Sequence, residues 1–258
     1  MATKKPKWVV AKEQAKKAAS QETVWLFGLH AVRDALLNPA REKLRLIVTQ
    51  NAAAKLADAM EGIEAEIVDP RRFDAPLDSQ SVHQGAALEV RPLQWGTLED
   101  VCLRGGAGPL RAVLLDRVTD PHNVGAILRS AEVFGASAVV APRHHSAPET
   151  GALAKAASGA LERQPYVQVR NLAQAISDLQ SMGYFVLGFA GEAENTLESV
   201  LSELGDRPVA MVLGAEGPGL RAKTRDVVDQ LVRIPFEGGF GSLNVSNAAA
   251  VALYASRR

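Results

Sequence analysis

The stretch RIPFEGGFGSLNVSNAAA (Arg233–Ala250) joins a short apolar segment to the last predicted helix of the chain. It contains three glycines and then four short polar residues within six positions: Ser242, Asn244, Ser246 and Asn247. Capping the helix is the simpler interpretation, because one or two such side chains satisfy the free N–H groups of a helix start. Four exceed that need, so the stretch also indicates a binding site.

The segments before this stretch alternate between strand and helix patterns, and this alternation sets the fold. The apolar strands are AVLLD (112–116), SAVVAP (137–142), YVQVR (166–170), YFVLGFA (184–190), VAMVLG (209–214) and QLVRIP (230–235). The helices are predicted over Asn123–Phe134, Thr150–Ala157, Leu172–Met182, Leu220–Val228 and Ala248–Ala255. Apolar strands separated by helices predict an α/β fold with a parallel sheet covered on both faces.

The chain divides into four predicted parts. Residues 1–22 form a basic tail, residues 23–92 a small α/β domain, residues 93–109 a linker rich in Pro and Gly, and residues 110–258 the larger domain. Residues 1–20 contain six lysines and one glutamate, so the tail is predicted to be disordered. Such a tail either lies on a polyphosphate or only keeps the protein in solution, and both interpretations stay open.

Composition excludes several classes of function. The chain has 258 residues, zero net charge and 47% hydrophobic residues, which is typical of a globular protein. We expect no membrane role, because no apolar run approaches the roughly 20 residues needed to cross a bilayer. The single Cys102 cannot form an internal disulfide, and with no apolar leader we expect a cytoplasmic protein. The five histidines have no ligand spacing, so we expect no metal.

Three loops that follow predicted strands carry the polar residues. In the first, Asp116 ends a strand, Asp120 and Pro121 start a helix, and Asn123 and Arg129 lie on that helix. Arg129 alone is more simply a solvated helix residue.

The second loop, VLGAEGPGL (212–220), has a carboxylate, Glu216, among glycines but neither a dinucleotide fingerprint nor a phosphate-binding lysine. The third loop is Arg233–Ala250. Because ligands of parallel sheets bind outside the carboxyl ends of the strands, the three loops predict one small-molecule site with an adenosine-like ligand.

Three motifs resemble those of the SpoU (TrmH-type) RNA 2′-O-ribose methyltransferases. They are DPHNVGAILRSAEVFGA (120–136), VLGAEGPGL (212–220) and RIPFEGGFGSLNVSNAAA (233–250), in the family's order. The resemblance covers residues 110–258 and implies a trefoil-knotted SPOUT methyltransferase domain, a homodimer whose protomers both shape the site, and S-adenosyl-L-methionine as cofactor. It also implies that residues 23–92 form a ribosomal-protein-like RNA-binding domain.

The resemblance assigns roles residue by residue. Cofactor contacts are implied for Gly214, Ile234 and Leu243. A catalytic role is implied for Asn123, Arg129, Glu216, Ser242 and Asn244. Asn247 departs from the family, which usually has a small apolar residue there. We expect Arg129 to act as a cation, because a guanidinium with a pKa above about 12 stays charged.

GLHAVRDALL (28–37) and VHQGAAL (82–88) resemble the branch of the family that methylates a guanosine in the P-site loop of 23S rRNA. The alternatives are a tRNA 2′-O-ribose methyltransferase and a non-catalytic RNA-binding protein that assists ribosome assembly. A dinucleotide-dependent enzyme is disfavoured, because LLDRVTDPHN (114–123) lacks the glycine fingerprint that such enzymes carry after their first strand.

Overall fold

The computed structural model describes residues 23–78, 81–103, 109–236 and 242–257, which form two β-sheets with their helices. The predicted tail, residues 1–22, and the glycines of residues 238–241 lie outside the described residues. Within these ranges, no helix is both long enough and apolar enough to cross a membrane.

The first sheet has four strands in the order β1-β4-β2-β3, with β4 antiparallel to both neighbours and β2 parallel to β3. The strands are β1 (Val24–Phe27), β2 (Lys43–Thr49), β3 (Ala65–Val68) and β4 (Ala86–Val90). Its helices are α1 (Leu29–Leu37) and α2 (Gln50–Lys55), and a 3₁₀ turn covers Pro70–Arg72.

The second sheet has six strands in the order β10-β8-β9-β5-β6-β7, and every neighbouring pair is parallel. The strands are β5 (Arg111–Asp116), β6 (Ala138–Pro142), β7 (Tyr166–Val169), β8 (Phe185–Phe189), β9 (Val209–Gly214) and β10 (Gln230–Val232). The helices are α3 (Leu98–Cys102), α4 (Pro121–Phe134), α5 (Gly151–Ala157), α6 (Leu172–Ser181), α7 (Leu197–Leu204), α8 (Ala222–Arg225) and α9 (Val245–Ala255), with a 3₁₀ turn at Ala160–Glu162. The predicted parallel α/β sheet is therefore confirmed.

Both faces of the second sheet are buried, as its apolar strands predict. Along β5, Val113 and Leu115 pack into one hydrophobic cluster while Ala112 and Leu114 pack into another. The first cluster includes residues of α4, α5 and α9 and continues into the core of the first sheet. The second cluster includes residues of α3 and α6.

Four helices differ from the sequence predictions. The segment predicted as a linker contains α3, whose Thr97–Asp100 capping box starts it and whose Cys102 is buried. Helix α7 was not predicted at all. The helix predicted over Leu220–Val228 is only the four-residue α8, and α9 starts at Val245 rather than at Ala248.

A buried ion cluster joins the first sheet to the second. The side chain of Arg41, which follows α1, donates from Nε and Nη2 to Glu162 (3.0 and 2.6 Å) and from Nη1 to Glu149 (2.6 Å). The Arg41 side chain is 0% exposed, the side chain of Glu149 is 13% exposed and that of Glu162 is 4% exposed. Gly151 lies beside it, where an added Cβ would be 2.3 Å from the carbonyl oxygen of Trp25 in β1. Helix α5 is therefore packed directly against the backbone of β1 in the first sheet.

Candidate functional site

The site lies at the carboxyl ends of β5 and β9, two neighbouring strands. From β5 the chain runs outward to β6 and β7, then crosses to β8 on the other side of β5, and β9 fills the place between β8 and β5. Such a change of direction opens a crevice at the carboxyl edge of a parallel sheet. The loops after both strands reach this crevice, as does the start of α9.

The side chains of Asn123, Glu216 and Asn244 form a closed hydrogen-bonded triangle in this crevice. Asn244 Nδ2 donates to Glu216 Oε1 (2.6 Å) and to Asn123 Oδ1 (3.0 Å), and Asn123 Nδ2 donates to Glu216 Oε1 (3.2 Å). The three residues come from three loops, separated by up to 121 positions. The prediction that the three loops meet at one edge is confirmed for these residues.

Each corner of the triangle is fixed by its own element. Helix α4 starts with Asp120 as its cap, which accepts a hydrogen bond from His122 N, and Asn123 follows in its first turn. Asn244 caps α9, because its Oδ1 accepts from Ser246 N (2.9 Å) and Ser246 Oγ (2.6 Å). Capping and site formation, the two interpretations of this stretch, therefore both apply to Asn244.

Asp116, at the end of β5, holds the glycine loop that carries Glu216. Its carboxylate is fully buried and accepts from Arg221 Nε (2.6 Å) and from the Arg221 amide (3.0 Å). The loop also closes tightly on itself, since a Cβ at Gly214 would lie 2.2 Å from the carbonyl carbon of Gly219. Asp116 therefore orders the loop, and Gly214 permits its close turn.

A cleft of about 790 Å³ opens beside the triangle. Its lining includes Gly214, Glu216, Ile234, Ser242, Leu243 and Asn244, which sequence analysis singled out. The side chain of Leu243 is 50% exposed, so an apolar group is available to a ligand in this cleft. Both the volume and the mixture of apolar and polar groups are typical of small-molecule sites.

Arg129 is the site residue that the structure leaves apart. It is exposed on α4, does not line the cleft, and makes no hydrogen bond or ion pair with any residue that the structure describes. It lies about 9 Å along the helix from Asn123 and about 120° around its axis. One chain therefore assembles the triangle and the cleft without Arg129.

The cleft also has a side that sequence analysis missed. The cleft is also lined by Phe189, the last residue of β8, and by Glu192, which follows it. Glu192 forms an ion pair with Arg225 of α8 (2.6 Å). The signal was available, because β8 was predicted as a strand and its carboxyl end had to meet the same edge. In the described ranges no group of three or more His, Cys, Asp or Glu side chains could hold a metal ion.

Comparisons with known proteins agree on one family. The SpoU rRNA methylase family matches residues 111–254, and the family described as RNA 2′-O ribose methyltransferase substrate binding matches residues 25–96. A protein of Pseudomonas putida named 23S rRNA (guanosine-2′-O-)-methyltransferase RlmB is 38% identical over 242 residues, covering 90% of this chain and 95% of the relative. The protein of that name from Vibrio vulnificus is 35% identical, covering 91% and 96%.

Solved structures share the fold. The SpoU methyltransferase AviRb from Streptomyces viridochromogenes, in complex with the cofactor AdoMet, aligns with a TM-score of 0.76 at 21% identity, covering 93% of this chain and 91% of that chain. An AdoMet-bound rRNA methyltransferase from Sinorhizobium meliloti aligns with a TM-score of 0.76 at 22% identity, covering 99% and 96%. With its three motifs gathered at one edge of a parallel sheet and both family matches in place, the chain belongs to the SpoU rRNA methylase family.

Proposed function

We propose that this protein transfers a methyl group from S-adenosyl-L-methionine to a ribose 2′-hydroxyl of RNA, and that its target is a guanosine of 23S rRNA. The observation that carries the proposal is the Asn123–Glu216–Asn244 triangle beside the 790 Å³ cleft. The rRNA target rests on the relatives named for that reaction, which align over nine-tenths of the chain. A reducing cytoplasm, where ribosomal RNA is present, is the proposed compartment.

The cleft fits the proposed cofactor. Gly214 and the glycines after it bring backbone N–H and C=O groups to its wall, where they can bond an adenine edge and ribose hydroxyls. Ile234 and Leu243 supply apolar contacts for the adenine faces. When bound there, S-adenosyl-L-methionine supplies an already activated methyl group, so the chain needs to provide alignment and charge stabilisation.

The triangle is placed to orient the attacking hydroxyl. Glu216 Oε1 accepts both amide hydrogen bonds, whereas its Oε2 has no partner within the described structure. We assign Oε2 to the ribose, where it orients the 2′-hydroxyl or accepts its proton. A phosphate oxygen or a water molecule is the other proton acceptor we consider. Ser242, on the cleft wall, is assigned to the same ribose.

Arg129 is assigned to the RNA phosphate beside the target ribose, where its charge also stabilises the developing alkoxide. Because Arg129 is exposed and does not line the cleft of its own chain, we propose that it serves the cleft of a second copy in a homodimer. Val133, one turn along α4, is 70% exposed, and Val251 and Tyr254 on the adjoining α9 are 40% and 65% exposed. Such an exposed apolar patch is typical of an interface. The trefoil knot implied by the motifs remains part of this proposal.

Methylation of defined RNAs tests the function. The full-length protein is incubated with S-adenosyl-L-methionine and either a 23S rRNA fragment containing the P-site loop or bulk tRNA, and modified nucleosides are mapped by mass spectrometry. We expect one 2′-O-methylguanosine in the rRNA fragment. A product in tRNA alone would replace the rRNA target, and unmodified RNA in both reactions would refute the activity.

A pair of matched variants tests the role of the triangle. Glu216→Gln removes the carboxylate of the triangle, whereas Glu192→Gln removes one on the other side of the same cleft. We expect Glu216→Gln to lower kcat at least about a hundredfold, as loss of acid–base or alkoxide assistance does, and Glu192→Gln to stay within about threefold. Equal losses would remove the special role of Glu216.

A further inference from the structure

Three arginines, Arg117, Arg143 and Arg170, each lie one residue beyond the end of a strand of the second sheet. The strands are β5, β6 and β7, which are neighbours in that order. We call Arg117, Arg143 and Arg170 the arginine row. None of them belongs to the motifs' proposed catalytic or cofactor set.

The strand register places the three arginines at one level. Leu114 pairs with Val140, and three residues onward from each lie the first two arginines of the row. Pro142 pairs with Val169, and the next residue of each strand is the second and the third arginine. The amide of Arg143 donates to Val169 O (2.8 Å), so this pairing continues to the row itself.

The row starts beside the triangle. Asp116 pairs with Gly214 of β9, which brings Arg117 level with Ala215, the residue before Glu216. Neighbouring strands are about 4.8 Å apart, so the row runs about 10 Å along the carboxyl edge of the sheet, from Arg117 beside the triangle to Arg170. A stacked nucleic-acid strand that rises about 3.4 Å per phosphate carries about three phosphates over that distance.

The positive charge of the row is not neutralised locally. All three arginines are exposed, and in the described structure none has a carboxylate partner. The only side-chain bond of the row among the described residues runs from Arg143 Nε to Gln168 O, at 3.4 Å. The two nearest acids in the sequence are engaged, Asp116 with Arg221 and Asp120 as the cap of α4.

The arginine row destabilises the folded protein in two ways. Like charges directly opposite one another on neighbouring strands destabilise a sheet. Arg117 also has a φ of 63°, in the left-handed region, which disfavours residues other than glycine. Strained backbone at the mouth of a site is a sign of functional constraint. An anion on the row would offset the repulsion.

We propose that the arginine row binds consecutive phosphates of the RNA strand that leads away from the target ribose. This proposal rests on the proposed function, because it takes RNA as the substrate. The row contacts the backbone without reading bases, so it positions the strand and adds to affinity for any sequence. Parallel strands alone bring its members together, since they are 26 and 27 positions apart along the chain.

Salt dependence of RNA binding tests the row. Each arginine is replaced singly by alanine in the full-length protein, and the dissociation constant for a 23S rRNA hairpin fragment is measured between about 50 and 200 mM salt. A lost phosphate contact lowers the slope of log K against log salt by about 0.7–0.9. The wild-type advantage over each variant should therefore shrink about threefold across this range, since salt rises about fourfold.

Arg207→Ala is the matched control, because Arg207 is exposed and unpaired with any described carboxylate but lies at the amino end of β9, on the opposite edge. Its slope should equal that of the wild type. Arg117→Gly is a second variant, which removes the guanidinium and relaxes the left-handed backbone. It should bind RNA as weakly as Arg117→Ala while melting at or above the wild-type temperature, which separates binding from folding.

The methylation assay separates this proposal from the proposed function. If the wild type methylates RNA, the row variants should raise KM and leave kcat within about twofold, since the row touches no reacting atom. Slopes and KM values equal to wild type in all three variants would overturn the row while leaving the activity standing. A wild-type protein that binds RNA through the row but methylates none would overturn only the activity.

Discussion

Replacing Arg41 by alanine should destabilise this protein more than any replacement of an exposed arginine. The guanidinium is fully buried and holds two carboxylates, Glu149 and Glu162, across the contact between the two sheets. Removing one member of a buried ion cluster leaves uncompensated charge in a dry environment, which costs about 3–5 kcal/mol. For a chain of this size, that corresponds to a fall in Tm of about 10 °C.

The loss should depend on pH. Burial raises the pKa of Glu149 above its ordinary value of 4.5, and the charge of Arg41 partly reverses the rise. A carboxyl whose pKa is raised by folding stabilises the fold while protonated, and that contribution is lost as the pH rises through its folded pKa. Without Arg41 the pKa of Glu149 rises further. The stability gap between wild type and variant should therefore be widest at neutral pH and shrink as the pH falls toward 4.5.

Urea unfolding followed by circular dichroism, at pH values from about 5 to 8, measures this gap. Arg45→Ala is the matched control, because Arg45 pairs with Glu66 at the surface, where the two side chains are 46% and 51% exposed. An exposed pair contributes about 0–1 kcal/mol. Equal losses in the two variants, or an Arg41→Ala gap that does not change with pH, would refute this reasoning.

Further predictions concern the proposed activity and the surface. Arg129→Ala should nearly abolish methyl transfer, while isothermal titration shows a cofactor affinity within a few-fold of wild type. Arg129→Lys should recover little activity, because a point charge replaces a planar fork. A cofactor affinity lost in step with activity would contradict the assignment of Arg129 to the RNA phosphate. Methyl transfer to a short RNA should continue in excess chelator, and chelator-sensitive turnover would oppose this. Val133→Asp should convert dimer to monomer in sedimentation velocity, whereas Val82→Asp, on another surface, should not. Burial raises the pKa of Cys102 to about 12, so iodoacetamide at pH 8 should label Cys102 only after unfolding, as mass spectrometry will detect.

The sequence predicted the sheet and the location of the site for a physical reason. Strands buried on both faces are continuous apolar runs, and parallel strands bring their carboxyl ends to one edge. This placed Asn123, Glu216 and Asn244 at the same edge. Their hydrogen bonds could not be derived from spacing, since they depend on how the three loops turn.

Two helices, α3 and α7, were not predicted from the sequence. Helix α3 has only five residues, too few for a helical period, although Thr97 and Asp100 form a capping box that can be read from the sequence. Helix α7 had a stronger signal that was overlooked, with Thr196 as cap and Leu197, Val200 and Leu201 on its buried side.

Long-range contacts were beyond the sequence altogether. The helix predicted from Leu220 is cut short at its start, because Arg221 turns back to bond the buried Asp116. Arg41 contacts Glu149 and Glu162, which are 108 and 121 positions away along the chain, and no local sequence pattern predicts such contacts. This cluster links the predicted first domain, which contains Arg41, to the predicted larger domain, which contains Glu149 and Glu162.

The close contact of Gly151 with the carbonyl oxygen of Trp25 leaves no room for a side chain between helix α5 and β1 of the first sheet. If the first sheet binds one RNA element while the second presents the cleft, the distance between the RNA-binding surface and the cleft is fixed within the chain. The modified nucleotide would then be selected by its distance from the bound RNA element as well as by its own identity. Inserting or deleting base pairs between the two elements should move the methylated position along the RNA.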